Sequence, residues 1–126
     1  MHNTKNFKTS EFACHCGCGL NIIDQRVIDM AQAIRDAIGV PIHINSGCRC
    51  EIHNKASGGV SDSFHTKGLA ADLSCTLGAK HLFVAIANLK AQGKLHDLEY
   101  CIWYAAKDFV HIDCGKKRNI FFELKP

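Results

Sequence analysis

The sequence has 126 residues, 47% hydrophobic and 21% charged, which fits one globular domain over 1–126 with a core large enough to stand without cross-links. No apolar run approaches the length of a membrane span, and residues 1–10 are too polar for a signal-peptide centre, so the chain is expected to be made in the cytoplasm, with any action outside depending on another route of release or export. The excess of 15 Lys and Arg over 12 Asp and Glu is mild: it suits an anionic partner without calling for nucleic acid, and the one basic cluster, Lys116-Lys117-Arg118, reads as a solvated turn.

In chain order, residues 1–10 read as an extended lead-in anchored by Phe7 and Phe12, followed by the glycine-broken turn Cys14-His15-Cys16-Gly17-Cys18-Gly19. Val27, Met30, Ala31, Ile34 and Ile38 fall at helical spacing and predict a helix over about 24–38, capped by Asn21 or Asp24 and stopped by Gly39 and Pro41. Residues 42–45 alternate like a short strand, and 46–54 read as a turn entering one helical turn. A loop rich in Gly and Ser spans 56–67, and long loops in compact domains are uncommon unless they carry function. Residues 69–73 look like a buried strand, and 77–92 like a second helix, capped by Thr76 with Leu82, Ala85, Ile86 and Leu89 inward. Residues 99–104 and 109–113 predict antiparallel strands joined by Ala105-Ala106-Lys107, with 119–124 as an edge strand. This order predicts an α+β domain with helices packed on one antiparallel sheet.

The chemistry centres on Ser63-Phe64-His65-Thr66-Lys67-Gly68-Leu69-Ala70-Ala71-Asp72. Burying an unpaired carboxylate is costly, so Asp72 at the end of a small apolar run demands a cation, either an arginine or a metal. In a strand, Ala70 and Asp72 share one face while Leu69, Ala71 and Leu73 share the other, and His111 alternates in the same way within 109–113. If those strands are neighbours, Asp72 and His111 converge while the loop folds His65 over them. Two histidines, a carboxylate and an open position form the donor set of a catalytic zinc. Taken alone, His-x6-Asp is a weak pattern, compatible with a surface histidine and an arginine-paired acid.

The residues around this pattern add a resemblance. Ser46-Gly47-Cys48-Arg49-Cys50, His53-Asn54, Gly58-Gly59-Val60, Ser63-x-His65-x-x-Gly68-x-Ala70-Ala71-Asp72 and Asp108-x-x-His111 closely resemble the zinc D-Ala-D-Ala carboxypeptidase and L-alanyl-D-glutamate endopeptidase family. Phage lysis enzymes and bacterial wall-trimming enzymes belong to it, and the hedgehog signalling domain shares its fold. The resemblance covers about residues 7–113. It implies a single zinc peptidase domain with His65, Asp72 and His111 as ligands of one catalytic Zn2+, Asp108 as the acid, and Arg49 and Ser63 beside the substrate. Two positions depart from the pattern: Cys48 stands where an aromatic residue is usual, and Cys50 follows the motif arginine. The implied reaction is hydrolysis of an amide bond in a peptidoglycan stem peptide. Cleavage between L-Ala and D-Glu, as in phage endolysins, is the leading reading and D-Ala-D-Ala carboxypeptidase its rival. A non-catalytic zinc domain that binds wall fragments or a protein partner is the reading from another class. The expected partner is the stem peptide, with no nucleic acid and no membrane, and the chain is expected to be a monomer.

On this reading Asp108 is the general base. A residue three positions before His111 faces the opposite side of a regular strand, so irregular backbone is predicted at Asp108. Arg49 stabilises an oxyanion or holds a substrate carboxylate, with a structural pair to Asp62, Asp72 or Glu51 as its alternative. Ser63 bonds substrate or caps the loop, His53 and Asn54 pin the loop, and Asp113 is read as an exposed strand acid in preference to a partner of the metal ligands.

Eight cysteines remain: Cys14, Cys16, Cys18, Cys48, Cys50, Cys75, Cys101 and Cys114. Cys75 and Cys101 lie in apolar segments and read as buried hydrophobes. For Cys14, Cys16 and Cys18, free thiols in a tight turn are the preferred reading. A disulfide to Cys50 or Cys114 competes with it, as does a second, structural zinc completed by a distant cysteine or His15, although the usual Cys-x2-Cys spacing is absent.

Overall fold

The computed structural model of the chain describes residues 1–116 and 122–126. Helix α1 spans Gln25–Ile38, with Asp24 accepting the Arg26 amide at its start and Gly39 closing its end, and it buries Val27, Ile28, Met30, Ala31 and Ile34. Strand β1 spans His43–Ser46. Helix α2, Glu51–Ala56, is longer than the single turn expected. The loop after it shortens into a 3-10 turn over Phe64–Lys67 before strand β2, Ala70–Ser74. Helix α3 covers Ala79–Ala91 and buries Leu82, Ile86 and Leu89. Thr76 does not cap it: Gly78 occupies the cap position and offers no side chain.

Strands β3 (Tyr100–Tyr104), β4 (Phe109–Asp113) and β5 (Phe122–Lys125) complete one five-stranded sheet in the order β1-β2-β4-β3-β5. The first four strands pair antiparallel as expected. β5 differs, pairing parallel with β3, so the sheet is mixed. The register explains the difference. Asp113 pairs with Tyr100, so the chain leaves β4 beside the beginning of β3. A strand laid from there along the free edge of β3 runs in the same direction as β3. Of the strand expected over 119–124, residues 119–121 lie outside the described residues, as do Lys117 and Arg118 of the basic cluster.

Alternation along the strands divides the sheet into two faces. Ala71 and Leu73 of β2, Cys101 of β3, and Val110 and Ile112 of β4 join Val27 and Ile34 of α1 and Leu82 and Ile86 of α3 in one core. Helix α3 packs on β3, β4 and α1, so the fold is α+β with α1 and α3 over this face. Cys101 is buried there and Cys75 lies half-buried against the same core. Among the described residues no helix is long and apolar enough to cross a membrane. The opposite face carries Asp72, Tyr100, Ile102, Tyr104, Phe109, His111 and Asp113 around a cavity.

Candidate functional site

Strands β2 and β4 place Asp72 directly opposite His111. Because paired residues share a face, the two side chains meet on the side away from the helices. His65 arrives from the 3-10 turn, whose first amides are organised by Ser63: its Oγ accepts the His65 amide at 3.2 Å. Gly68 then turns the chain into β2 at φ 70°, where a Cβ would collide with the Ile22 backbone. His65 Nε2 lies 3.2 Å from Asp72 Oδ1, and His111 Nδ1 lies 3.1 Å from the same oxygen. The two rings meet edge to face, 5.1 Å apart.

The remaining ring nitrogens determine which atoms are free to bind. His65 Nδ1 is 2.7 Å from the Gly47 carbonyl, and a carbonyl only accepts, so Nδ1 carries the proton. His111 Nε2 is 2.7 Å from Asp113 Oδ2, and by the same reasoning Nε2 is the donor. The lone pairs of His65 Nε2 and His111 Nδ1 therefore face the Asp72 carboxylate. Three electron-rich atoms turned on one another repel unless a cation lies among them. All three lie within 4.8 Å of one another, and their outer atoms are held in the manner of metal-ligating histidines. The donor set of two imidazoles and one carboxylate fits zinc. Without a metal, the same attraction for positive charge acts on protons. Burial opposes ionisation of Asp72, yet the imidazoles of His111 and His65 beside it outweigh burial and hold its carboxyl below the usual carboxylate range. Burial likewise opposes charge on His111, but Asp113 and Asp72 push it up to about 9.

The structure places the other expected residues as follows. Arg49 points Nη2 at Asp72 Oδ2 (3.0 Å), Nε at Ser46 Oγ (2.9 Å) and Nη1 at Asn54 Oδ1 (3.0 Å). It therefore forms the pair with Asp72 that sequence reasoning ranked second, and it neutralises the carboxylate oxygen turned away from the histidines. Asn54 is buried and also donates to the Val60 carbonyl at 2.7 Å, so it pins the glycine-rich loop to the arginine. Ser63 caps the 3-10 turn and lies in the cavity wall.

Two acids trade places relative to expectation. Asp108 does have irregular backbone, with φ 55°, but its exposed carboxylate accepts the Ala79 amide at 2.8 Å and caps α3. Among the described residues it neither lines the cavity nor bonds to the two histidines. Residue 108 shares strand parity with Val110 and Ile112, which face the helices, and the free amides at a helix start attract an anion. Asp113, expected to be exposed, is 1% exposed and holds His111 in place. Its position two residues after His111, on the same strand face, was the available signal.

A cavity of about 600 Å³ opens over this site. Its wall includes the loop residues Val60 and Asp62, the aromatic residues Tyr100 and Tyr104, and the cations Lys107 and Lys116. A second group of metal-compatible donors, Cys14, Cys16, Cys18 and Cys50, is made of other residues.

A family model described as Peptidase M15 matches residues 5–113, a span that holds both histidines, Asp72, Arg49 and Asp113. No curated protein matches the chain. Since the family model covers most of its length, the chain belongs to the Peptidase M15 family and is a zinc metallopeptidase by that membership.

Proposed function

We propose that this peptidase hydrolyses an amide bond in the stem peptides of peptidoglycan, with the bond between L-alanine and D-glutamate as the preferred site. The observation that carries the hydrolytic reading is the convergence of His65 Nε2, Asp72 Oδ1 and His111 Nδ1 beneath an open cavity. His65, Asp72 and His111 would hold the zinc ion, which would supply Lewis acidity and make water available as hydroxide near neutral pH. The protein's own groups do the rest. The Gly47 carbonyl and Asp113 fix the two imidazole tautomers, and Arg49 holds Asp72 while presenting its guanidinium at the cavity wall. Three of the five Arg49 donors are engaged by Ser46, Asn54 and Asp72, so its others can meet a polarised carbonyl oxygen.

The cavity-lining carboxylates among the described residues are Asp62, Asp72 and Asp113. Asp72 and Asp113 are committed to the histidines, which leaves Asp62 as the proton acceptor this reading favours, with Asp108 as its alternative. Lys107, Lys116 and Lys125 border the same space and suit a substrate rich in carboxylates, as stem peptides are. The same cations also suit the terminal carboxylate that a D-Ala-D-Ala carboxypeptidase must hold, which keeps that activity as the second reading. Purified peptidoglycan digested with the zinc-loaded chain separates them by mass spectrometry of the new termini. A new amino-terminal D-glutamate is the expected product, and released D-alanine would assign the carboxypeptidase instead. If no new terminus forms that a chelator abolishes, the chain is a non-catalytic zinc domain and the proposal fails.

A further inference from the structure

The cysteine turn is not used by the peptidase site, and its geometry is that of a second metal centre. Cys14, Cys16 and Cys18 sit in a loop closed by the Cys14 amide donating to the Leu20 carbonyl at 2.8 Å. In an extended chain, side chains two residues apart lie about 6.6 Å apart along the strand. Gly17 and Gly19, both at φ 85°, curl this segment instead, a conformation that other residues take up reluctantly. The three sulfurs are thereby gathered toward Cys50, which caps the start of α2. Cys14 and Cys16 Sγ are 3.5 Å apart, Cys16 and Cys50 Sγ are 3.6 Å apart, and all four sulfurs lie within 4.8 Å of one another. With Zn–S of about 2.3 Å, a tetrahedral site has sulfur–sulfur edges of about 3.8 Å. Backbone amides support the sulfurs as acceptors: Cys50 N–H donates to Cys14 Sγ and His53 N–H to Cys50 Sγ, each at 3.3 Å. His15 and Cys114, the other partners considered for this turn, are not in the cluster; Cys114 Sγ lies 3.7 Å from the Leu69 carbonyl instead.

We propose that Cys14, Cys16, Cys18 and Cys50 together bind a structural zinc ion in a closed four-thiolate site, independent of His65, Asp72 and His111. Four thiolates leave no open position, so the site is a clamp and not a second centre of hydrolysis. It ties the turn before α1 to the start of α2. Cys50 adjoins Arg49, so the clamp also sets where the arginine that grips Asp72 enters the peptidase site. Soft sulfur donors in this geometry select zinc or iron, and metal identity is therefore part of the test.

The test is elemental analysis of the full chain purified under reducing conditions. Wild type is expected to hold two zinc ions per chain, and Cys50→Ser and His65→Ala one each. Cobalt replacement then tells the sites apart: thiolate-to-cobalt charge transfer in the near ultraviolet persists in His65→Ala and disappears in Cys50→Ser. Should Cys50→Ser not fold, zinc-edge X-ray absorption of wild type reads the sulfur shell directly. One zinc per chain with no sulfur ligation, iron in the second position, or a disulfide among these four cysteines by non-reducing mass spectrometry would each overturn the proposal.

Discussion

Replacing Asp108 separates a role in chemistry from a role in the fold. The Asp108 carboxylate accepts the Ala79 amide at 2.8 Å, and α3 has no cap of its own because Gly78 holds the cap position. Losing a helix cap costs about 0.5–2 kcal/mol. Losing the favourable charge at the helix start accounts for roughly 0.3–1 kcal/mol of the interaction where the site is exposed. Asp108 is exposed, so Asp108→Ala is expected near the middle of the capping range, about 1 kcal/mol, and the backbone adds to it. At φ 55°, aspartate and asparagine tolerate the left-handed region better than alanine does. Asp108→Asn keeps an acceptor oxygen and the backbone preference and loses only the charge, so a few tenths of a kcal/mol are expected. Urea unfolding of the zinc-saturated variants measures these differences, with zinc content and peptidoglycan hydrolysis read on the same samples. In thermal unfolding of a chain of this size, 1 kcal/mol corresponds to a melting-temperature shift of roughly 3–5 °C, a second reading of the same difference. The expected result is lower stability with zinc retained and hydrolysis little changed. Asp108→Asn that unfolds like wild type, keeps its zinc and no longer hydrolyses would refute the capping argument and return Asp108 to the chemistry.

Other expectations follow from the same geometry. Asp113→Asn weakens the hold on His111 Nε2, and zinc affinity measured by chelator competition should fall about 10–100-fold. An unchanged affinity would mean that Asp113 does not support the ligand. His111 in the metal-free chain carries a pKa raised to about 9, so it is protonated at neutral pH and zinc must displace that proton. Affinity should therefore weaken as pH falls from about 9, by about tenfold per unit from this group, while Asp72, held below the usual carboxylate range, stays ionised throughout. Calorimetry in buffers of different ionisation enthalpy should detect proton release at pH 7; affinity constant between pH 7 and 9 would contradict this. Asn54→Ala leaves Arg49 and the Val60 carbonyl without their buried partner, which should destabilise the chain by about 1–3 kcal/mol and speed proteolysis between residues 57 and 63. A cleavage pattern like that of wild type would show that the loop is held by other contacts.

What was legible in the sequence was whatever local pattern determines. Helical spacing and the Asp24 and Gly39 signals locate α1, because both ends of that helix are closed by adjacent residues. Strand parity and the apolar run before Asp72 brought Asp72 and His111 to one face, because period-two alternation needs no knowledge of neighbours. Features that depend on distant partners were harder to read. Three residues of spacing to His111 said nothing of α3, whose uncapped start draws Asp108 away. Asp113 looked exposed because its partner is an imidazole nitrogen turned toward it only in the assembled site. Cys50 joins Cys14, Cys16 and Cys18 through tertiary packing that no sequence spacing describes. The direction of β5 follows from which edge remained open once β2 had taken the other side of β4.

The pairing of Asp72 with His111 has a consequence for how the chain is proofread. One sheet face is hydrocarbon and the other carries the ligands, so a one-residue slip between β2 and β4 would turn either Asp72 or His111 into the core beneath α3. Such a mispaired chain would bury a charged or polar group and at the same time lose the cation site. A zinc ion held by His65, Asp72 and His111 would therefore reward only the correct strand register, and its retention would report that the two central strands had found each other in the right alignment.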